Sequence, residues 1–395
     1  MSNGYVNYES KTTTGSTGFW LWIVFLSLPV LWAVYWGALS LFSSEDYSAL
    51  GNRTPWGLYI SGYAFLVVSC SIGACLIGSL GSVFQMERFV ILEKRAVFLA
   101  VTSLVTGMSL MLVELGQPLN MIRGYIDTPN PASPIFGMGV IYTMDLVLIS
   151  SEFVLLMTNS LLVARRIGIL ALFTAIAAGS TVGSVFGLPA TKPYWNGPYL
   201  PIDFILCAWI TGFAMMIIVA YAAAKRDAVN RPQYLALIDS MGKWLAIFLV
   251  VDCFFILWTV STGMYGGGGG GEKYLATMAL VSGPLQVTFW GGEILVGLVA
   301  PLALLLLPGW KQSGTPCVAA IMVVIGMFAN KVNMLLAPQT IPTPLFGLDA
   351  YRIVIPSMVE ISIVGGAIAF IILAYSLVDR FELLTHEAEV HAATT

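Results

Sequence analysis

The sequence predicts an all-α polytopic membrane protein with about ten transmembrane helices, and three observations carry that prediction. Of the 395 residues, 58% are hydrophobic and 10% charged, whereas a water-soluble domain carries roughly 25% charged residues. The apolar residues gather in about ten runs long enough to cross a bilayer. These runs lack the strict alternation of a transmembrane barrel. Lipid satisfies no free backbone group, so each run must close its hydrogen bonds as a helix. A soluble enzyme is excluded. A net charge of −3 without a sizeable basic patch gives no surface for nucleic acid.

Residues 1–18 are polar and rich in Ser, Thr and Gly, and read as a cytoplasmic tail. The first run, about 19–42, is too long for a signal-peptide core and lacks a basic leader, so it reads as a retained span. Further spans follow at about 56–84, 96–115, 135–163, 167–187, 203–224, 243–262, 285–307, 316–336 and 354–378. The membrane domain then covers 19–378, and 379–395 is a second cytoplasmic tail.

Lys and Arg set the orientation. Connections after the even-numbered spans hold ten of them: Arg88, Lys94, Arg95, Arg165, Arg166, Lys225, Arg226, Arg231, Lys243 and Lys311. Connections after the odd-numbered spans hold five: Arg53, Arg123, Lys192, Lys273 and Arg352. Lys11 and Arg380 add to the richer side, so both termini are expected in the cytoplasm, with the protein in the cytoplasmic (inner) membrane. The outer connections are long and rich in Pro and aromatics, which suits either a docking surface or ordinary linkers. The run Gly266 to Gly271 lacks the Lys-Ser/Thr and the preceding strand of a phosphate loop, and reads as a flexible outer loop. Trp20, Trp56, Trp195, Trp244, Trp290 and Trp310 lie near span ends, as an aromatic belt requires. Ala74, Gly78 and Ser82, and likewise Gly183 and Gly187, form small-residue stripes for close helix packing.

Redox metals find few ligands. His386 and His391 both lie in the C-terminal tail, so the sequence offers no pair of intramembrane His for a haem. Cys70, Cys75, Cys207, Cys253 and Cys317 are scattered through apolar runs without a Cys-x-x-Cys, which argues against an iron–sulfur cluster or structural zinc.

Ionisable residues inside spans are functional candidates because lipid makes them costly. Asp145, Glu152 and Asn159 recur every seven residues in the fourth span, with Tyr142 three before Asp145. Seven residues are about two turns, so one face carries them. That stripe suits a proton half-channel or the acid group of a redox site, or else a polar seam between helices. Asp252 sits at mid-depth in the seventh span and Glu293 in the eighth. Asn330, Lys331 and Asn333 sit in the ninth, and Glu360 in the tenth. Glu293, Lys331 and Glu360 fall at similar depth, where an ion-paired cluster would neutralise them. Asp203, near Pro201, reads as a helix cap.

Several segments together resemble the NrfD/PsrC family of membrane quinol-handling subunits. They are Pro55-Trp56-Gly57-Leu58-Tyr59, Glu114-Leu115-Gly116-Gln117-Pro118, Ser133-Pro134 and Gly139-Val140-Ile141-Tyr142. Phe289-Trp290-Gly291-Gly292-Glu293, Lys331-Val332-Asn333 and Pro356-Ser357-Met358-Val359-Glu360 complete the set. Their order covers nearly the whole sequence. Ten helices resemble the DsrP-like, sulfite-reductase-linked branch first and the HybB-like hydrogenase branch second.

The resemblance implies two four-helix bundles, about 56–187 and 203–336, flanked by the first and last helices. It also implies a menaquinol or ubiquinol site near the outer face of the first bundle. Trp56, Tyr59, Tyr63 and Glu114 would line that pocket, with Tyr142, Asp145 and Glu152 serving quinol and proton chemistry. Electrons would pass to an extracytoplasmic four-cluster iron–sulfur subunit, with a multihaem cytochrome c and further membrane subunits as other partners. The protein would then itself carry neither haem nor iron–sulfur cluster. Some ten-helix relatives carry a His in the fifth helix and a Glu near the start of the fourth. The aligned positions here are Ala178 and Met138, so Tyr142 and Asp145 stand in for them. Two other readings remain open: an ion-coupled secondary transporter, favoured by midplane acids, and a passive membrane anchor for redox partners.

Overall fold

A computed structural model describes residues 17–42, 55–265, 270–306, 314–342, 350–381 and 384. Among them there are helices and turns but no strand. Ten helices are long and apolar enough to cross a membrane. They are α1 (Thr17–Phe42), α2 (Leu58–Ser82), α3 (Glu93–Leu115), α4 (Pro134–Met157), α5 (Leu161–Gly187), α6 (Tyr199–Arg226), α7 (Arg231–Tyr265), α8 (Val287–Leu306), α9 (Thr315–Leu336) and α10 (Met358–Arg380). The protein is a multi-pass membrane protein. Arg53, Trp310, Lys311, residues 266–269 of the glycine run, residues 1–16 and both histidines lie outside the described residues.

The helices pack in two closed rings. In the first, α2 touches α3, α3 touches α4, α4 touches α5, and α5 returns to α2. In the second, α6, α7, α8 and α9 close in the same way. The rings meet along α2 and α6, where a Cβ added at Gly73 would strike the Gly212 backbone at 2.8 Å. That approach is open only to glycine, and it seats the two most enclosed helices against each other. The most apolar stretch of α2 is 94% buried, whereas that of α1 is 6% buried and packs chiefly on α10. The centre of the molecule therefore lies between the rings, and α1 presents its apolar face to lipid. Of the small-residue stripes, Gly78 rests on Ala96, Gly183 on Pro201 and Gly187 on Gly197.

Several boundaries differ from the sequence expectation. The fourth span ends at Met157 rather than near 163, because Asn159 takes a left-handed backbone (φ 54°) and turns the chain into α5. Asn159 is thus an exposed turn residue and leaves the α4 stripe. α7 starts at Arg231, twelve residues before position 243, so Arg231 and Lys243 are helical. Lys243 pairs with Asp239 one turn away at 2.8 Å. Lys94 and Arg95 also belong to a helix, and both are buried. The Arg95 guanidinium meets Asp379 of α10 at 3.1 Å, and Arg226 of α6 meets the other oxygen of Asp379 at 2.5 Å. Arg95 donates as well to the Tyr234 hydroxyl of α7. One buried carboxylate thus ties both rings to α10.

Candidate functional site

Two groups of buried polar residues stand out, one in each ring. In the first ring, Asp145 and Glu152 lie two turns apart on α4 and both face α5. Thr174 of α5 donates its hydroxyl to Asp145 Oδ1 at 2.8 Å. Glu152 fits because α5 has a glycine opposite it: a Cβ on Gly168 would lie 2.5 Å from Glu152 Oε1. Both acids are almost fully enclosed.

Tyr142, nearly one turn before Asp145, points toward α2. Its ring meets the Tyr63 ring edge-on at 6.5 Å. Its hydroxyl is buried without a hydrogen-bond partner. Tyr63 donates to the sulfur of Met138 at 3.6 Å. Met138 therefore occupies the space beside the tyrosine pair. Tyr59 is buried one turn from Tyr63, and Glu114 is half-buried where α3 ends at the left-handed Gly116 (φ 63°).

Trp56 does not join this pair. It packs edge-on against Phe186 at 5.4 Å and beside Trp195 at 5.5 Å. Gln339 grips its backbone, accepting from Trp56 N at 3.2 Å and donating to Trp56 O at 2.9 Å. Trp195 donates to Met334 O at 2.8 Å and is buried, so it plugs the junction of the rings rather than serving in a belt. Trp20, Trp244 and Trp290 are exposed, as belt residues are.

The second group draws on four helices. Lys331 of α9 is 0% exposed. Its ammonium lies 3.8 Å from Asp203 Oδ2, borders the Cys207 thiol, and sits 4.2 Å above the Phe204 ring. Asp203 is not a cap: it lies one turn inside α6, accepts from the Tyr199 hydroxyl at 3.0 Å, and gives Lys331 its counter-charge. Glu360 is the residue that caps. Its carboxylate accepts from Ser357 N at 2.7 Å while its own N–H donates to Ser357 Oγ at 3.1 Å, a capping box that starts α10. The expected grouping of Glu293, Lys331 and Glu360 gives way to one of Glu293, Lys331 and Asp203.

Glu293 of α8 accepts from Asn330 at 2.9 Å and from Asn333 at 2.6 Å. Asn333 in turn accepts from Thr288 at 2.6 Å. The i→i+5 turns over Val287–Val299 set the direction of Glu293, a local widening common at functional sites. Asp252 of α7 is 1% exposed, and neither carboxylate oxygen has a hydrogen-bond partner. Asp203 and Glu293 face a common cavity of about 60 Å³, closed over by Tyr194 and by Thr277 of the short helix Glu272–Val281. Burial, reinforced by the charges of Glu293 and Asp203, pushes the Tyr194 phenol up, so it remains a hydroxyl.

Sequence reasoning missed Asp203 as part of this group, although Tyr199, Asp203, Cys207 and Thr211 recur every four residues on one face of α6. It also missed Thr174 and Gly168, which form the α5 side of the α4 stripe. All five cysteines are free thiols. Cys207 lies within 3.8 Å of Asp203 and of Asn330.

The family described as "Polysulphide reductase, NrfD" matches residues 46–343. The protein is 24% identical to a selenate reductase subunit of Mesobacillus selenatarsenatis, over 90% of its own length and 93% of that relative. It is 23% identical to the Hdr-like menaquinol oxidoreductase integral membrane subunit of Archaeoglobus fulgidus, over 43% and 42% of the two lengths. It is 28% identical to a polysulfide reductase protein of Wolinella succinogenes, over 45% and 55%.

Proposed function

Because this chain belongs to the NrfD family of polysulphide reductase proteins, we propose that it is the quinone- and quinol-interacting membrane subunit of a multi-subunit respiratory redox complex. The selenate and polysulfide reductase relatives support a membrane redox subunit. The relative named as a menaquinol oxidoreductase subunit supports menaquinol as the substrate. The finer assignment is to the ten-helix DsrP-like branch and to sulfite or sulfate metabolism, with an extracytoplasmic four-cluster iron–sulfur subunit as redox partner. The two rings are then the two bundles, 56–187 and 203–336, with both termini in the cytoplasm.

The observation that carries the reading is the Tyr142 hydroxyl. It is a buried phenol without a partner, its ring meets that of Tyr63, and Asp145 follows three residues on along the same helix. Such an orphan donor, beside a carboxyl group, fits a quinol hydroxyl. A bound quinol would supply two electrons, which leave for the partner, and two protons. Tyr142 would orient the head group by hydrogen bonding. Asp145, held by Thr174, would take one proton, with Glu152 two turns away receiving it in turn, and the second proton would leave to the outer aqueous side past Glu114. Tyr59, Tyr63 and Glu114 would line the outer side, while Trp56, locked by Gln339, would fix the helix end that carries those tyrosines.

A quinol analogue titrated onto the protein in lipid nanodiscs tests this reading. About tenfold weaker binding in Tyr142→Phe or Asp145→Asn supports the site, and unchanged affinity in both overturns it.

A further inference from the structure

The second ring holds more buried negative charge than its own residues neutralise. Glu293 accepts two amide N–H groups, one on each oxygen, an arrangement that suits the ionised form. Asp203 accepts from Tyr199 and faces the Lys331 ammonium, which also suits a carboxylate. Lys331 supplies the one positive charge among these four buried groups. Asp252 is a third carboxyl group, 1% exposed, with both oxygens unpartnered. The charged groups that act on it are Asp203 of α6, Glu293 of α8 and Lys331 of α9, one from each of the other three helices of the ring. Three ionised acids against one ammonium would leave two uncompensated charges out of water, which a helix bundle in lipid does not tolerate.

The geometry also gives access. The cavity of about 60 Å³ that Asp203 and Glu293 share has room for about four water molecules. It lies at the ring end covered by the connection that carries Tyr194 and by the short helix Glu272–Val281. Thr259 lines it, and Asp252 lies seven residues earlier on the same helix, about 10 Å deeper. Cys207 and Thr211 continue the Asp203 face of α6 in the same inward direction, and the buried Thr211 hydroxyl also lacks a partner. Beyond Thr211 that face becomes apolar, with Met215 and Ile218. Polar side chains thus continue inward from the cavity along α6 and α7, ending at Thr211 and at Asp252, both buried and unpartnered.

We propose that the second ring carries a proton-exchange site of its own, in which Asp252 stores a proton that it trades with the cavity water through the Asp203–Lys331–Glu293 group. No bond other than O–H or N–H changes: a proton leaves hydrated cavity water, and a carboxylate becomes a carboxylic acid. The site is spatially separate from Tyr142 and Asp145, so it stands whether or not the first ring binds quinol.

Infrared spectra of the full-length protein in lipid nanodiscs, taken through a pH series in H2O and D2O, test the proposal. Circular dichroism confirms that each variant is folded. The expected result is a carboxylic-acid C=O band that shifts on transfer to D2O, is lost in Asp252→Asn, moves in Asp252→Glu, and persists in Asp145→Asn. The same band set in wild type and both Asp252 variants overturns the proposal. So does a band that never shifts in D2O, which would mark a sealed group. A band that responds to sodium at fixed pH would replace the proton by a metal cation and also overturn it. Quinol-analogue affinity is expected to be unchanged in Asp252→Asn.

Discussion

The acids of the first ring lie along one helix, whereas those of the second converge from different ones. Asp145 and Glu152 share α4, and α5 answers each of them separately, with the Thr174 hydroxyl and with the space at Gly168. Asp203, Asp252, Glu293 and Lys331 come from α6, α7, α8 and α9, so each group's counter-charge or partner is carried by another helix. A stripe of this kind can lose one member and keep the rest. A convergent cluster is coupled, because removing one charge strands another in a medium that solvates it poorly.

The largest effect is therefore expected in the second ring. Lys331→Met should cost about 3–5 kcal/mol, because Asp203 loses the charge that faces it. Thermal unfolding in nanodiscs reads this, and the double variant Lys331→Met/Asp203→Asn should recover part of the loss. A single variant as stable as wild type would break the comparison. Next comes the clamp that joins the rings. Asp379→Asn removes the carboxylate that Arg95 and Arg226 share, and about 3 kcal/mol should be lost as the buried guanidinium loses its partner. Because Arg226 is half-exposed and re-solvates, Arg226→Gln should cost under about 1 kcal/mol in the same melts. Of the two acid groups, the first ring's shows the smaller effect. Thr174→Val deletes one hydroxyl donor to Asp145 and should cost about 1 kcal/mol. A loss as large as that of Lys331→Met would show the stripe to be as tightly coupled as the cluster.

The same contrast explains what was legible in the sequence. Ten spans are visible because runs of some twenty apolar residues have no other stable form in lipid. Asp145 and Glu152 are visible because seven-residue spacing on one helix is a local property. The partner of Lys331 is not local. The sequence places Glu293, Lys331 and Glu360 at one depth, but depth says nothing about which face of a helix turns toward which neighbour. Asp203 supplies the counter-charge because α6 and α9 pack together, and Glu360 turns back on its own helix end because Ser357 stands three residues before it.

Helix ends are the other weak point. Position 159 continues the seven-residue series on paper, but Asn accepts a left-handed backbone more readily than most residues, and the chain turns there. Arg95 illustrates a third limit. In the sequence it counts as an orienting loop charge, yet in the fold it is a buried partner of Asp379, because α3 begins at Glu93 and α10 reaches past it.

The central claim is that quinol is handled by the first ring and not by the second. One matched titration tests it most directly: a quinol analogue bound to the protein in nanodiscs, for wild type, Tyr142→Phe, Asp145→Asn and Asp252→Asn. The expected result is about tenfold weaker binding in the first two variants and wild-type affinity in the third. Wild-type affinity in both Tyr142→Phe and Asp145→Asn, or binding lost only in Asp252→Asn, would contradict it.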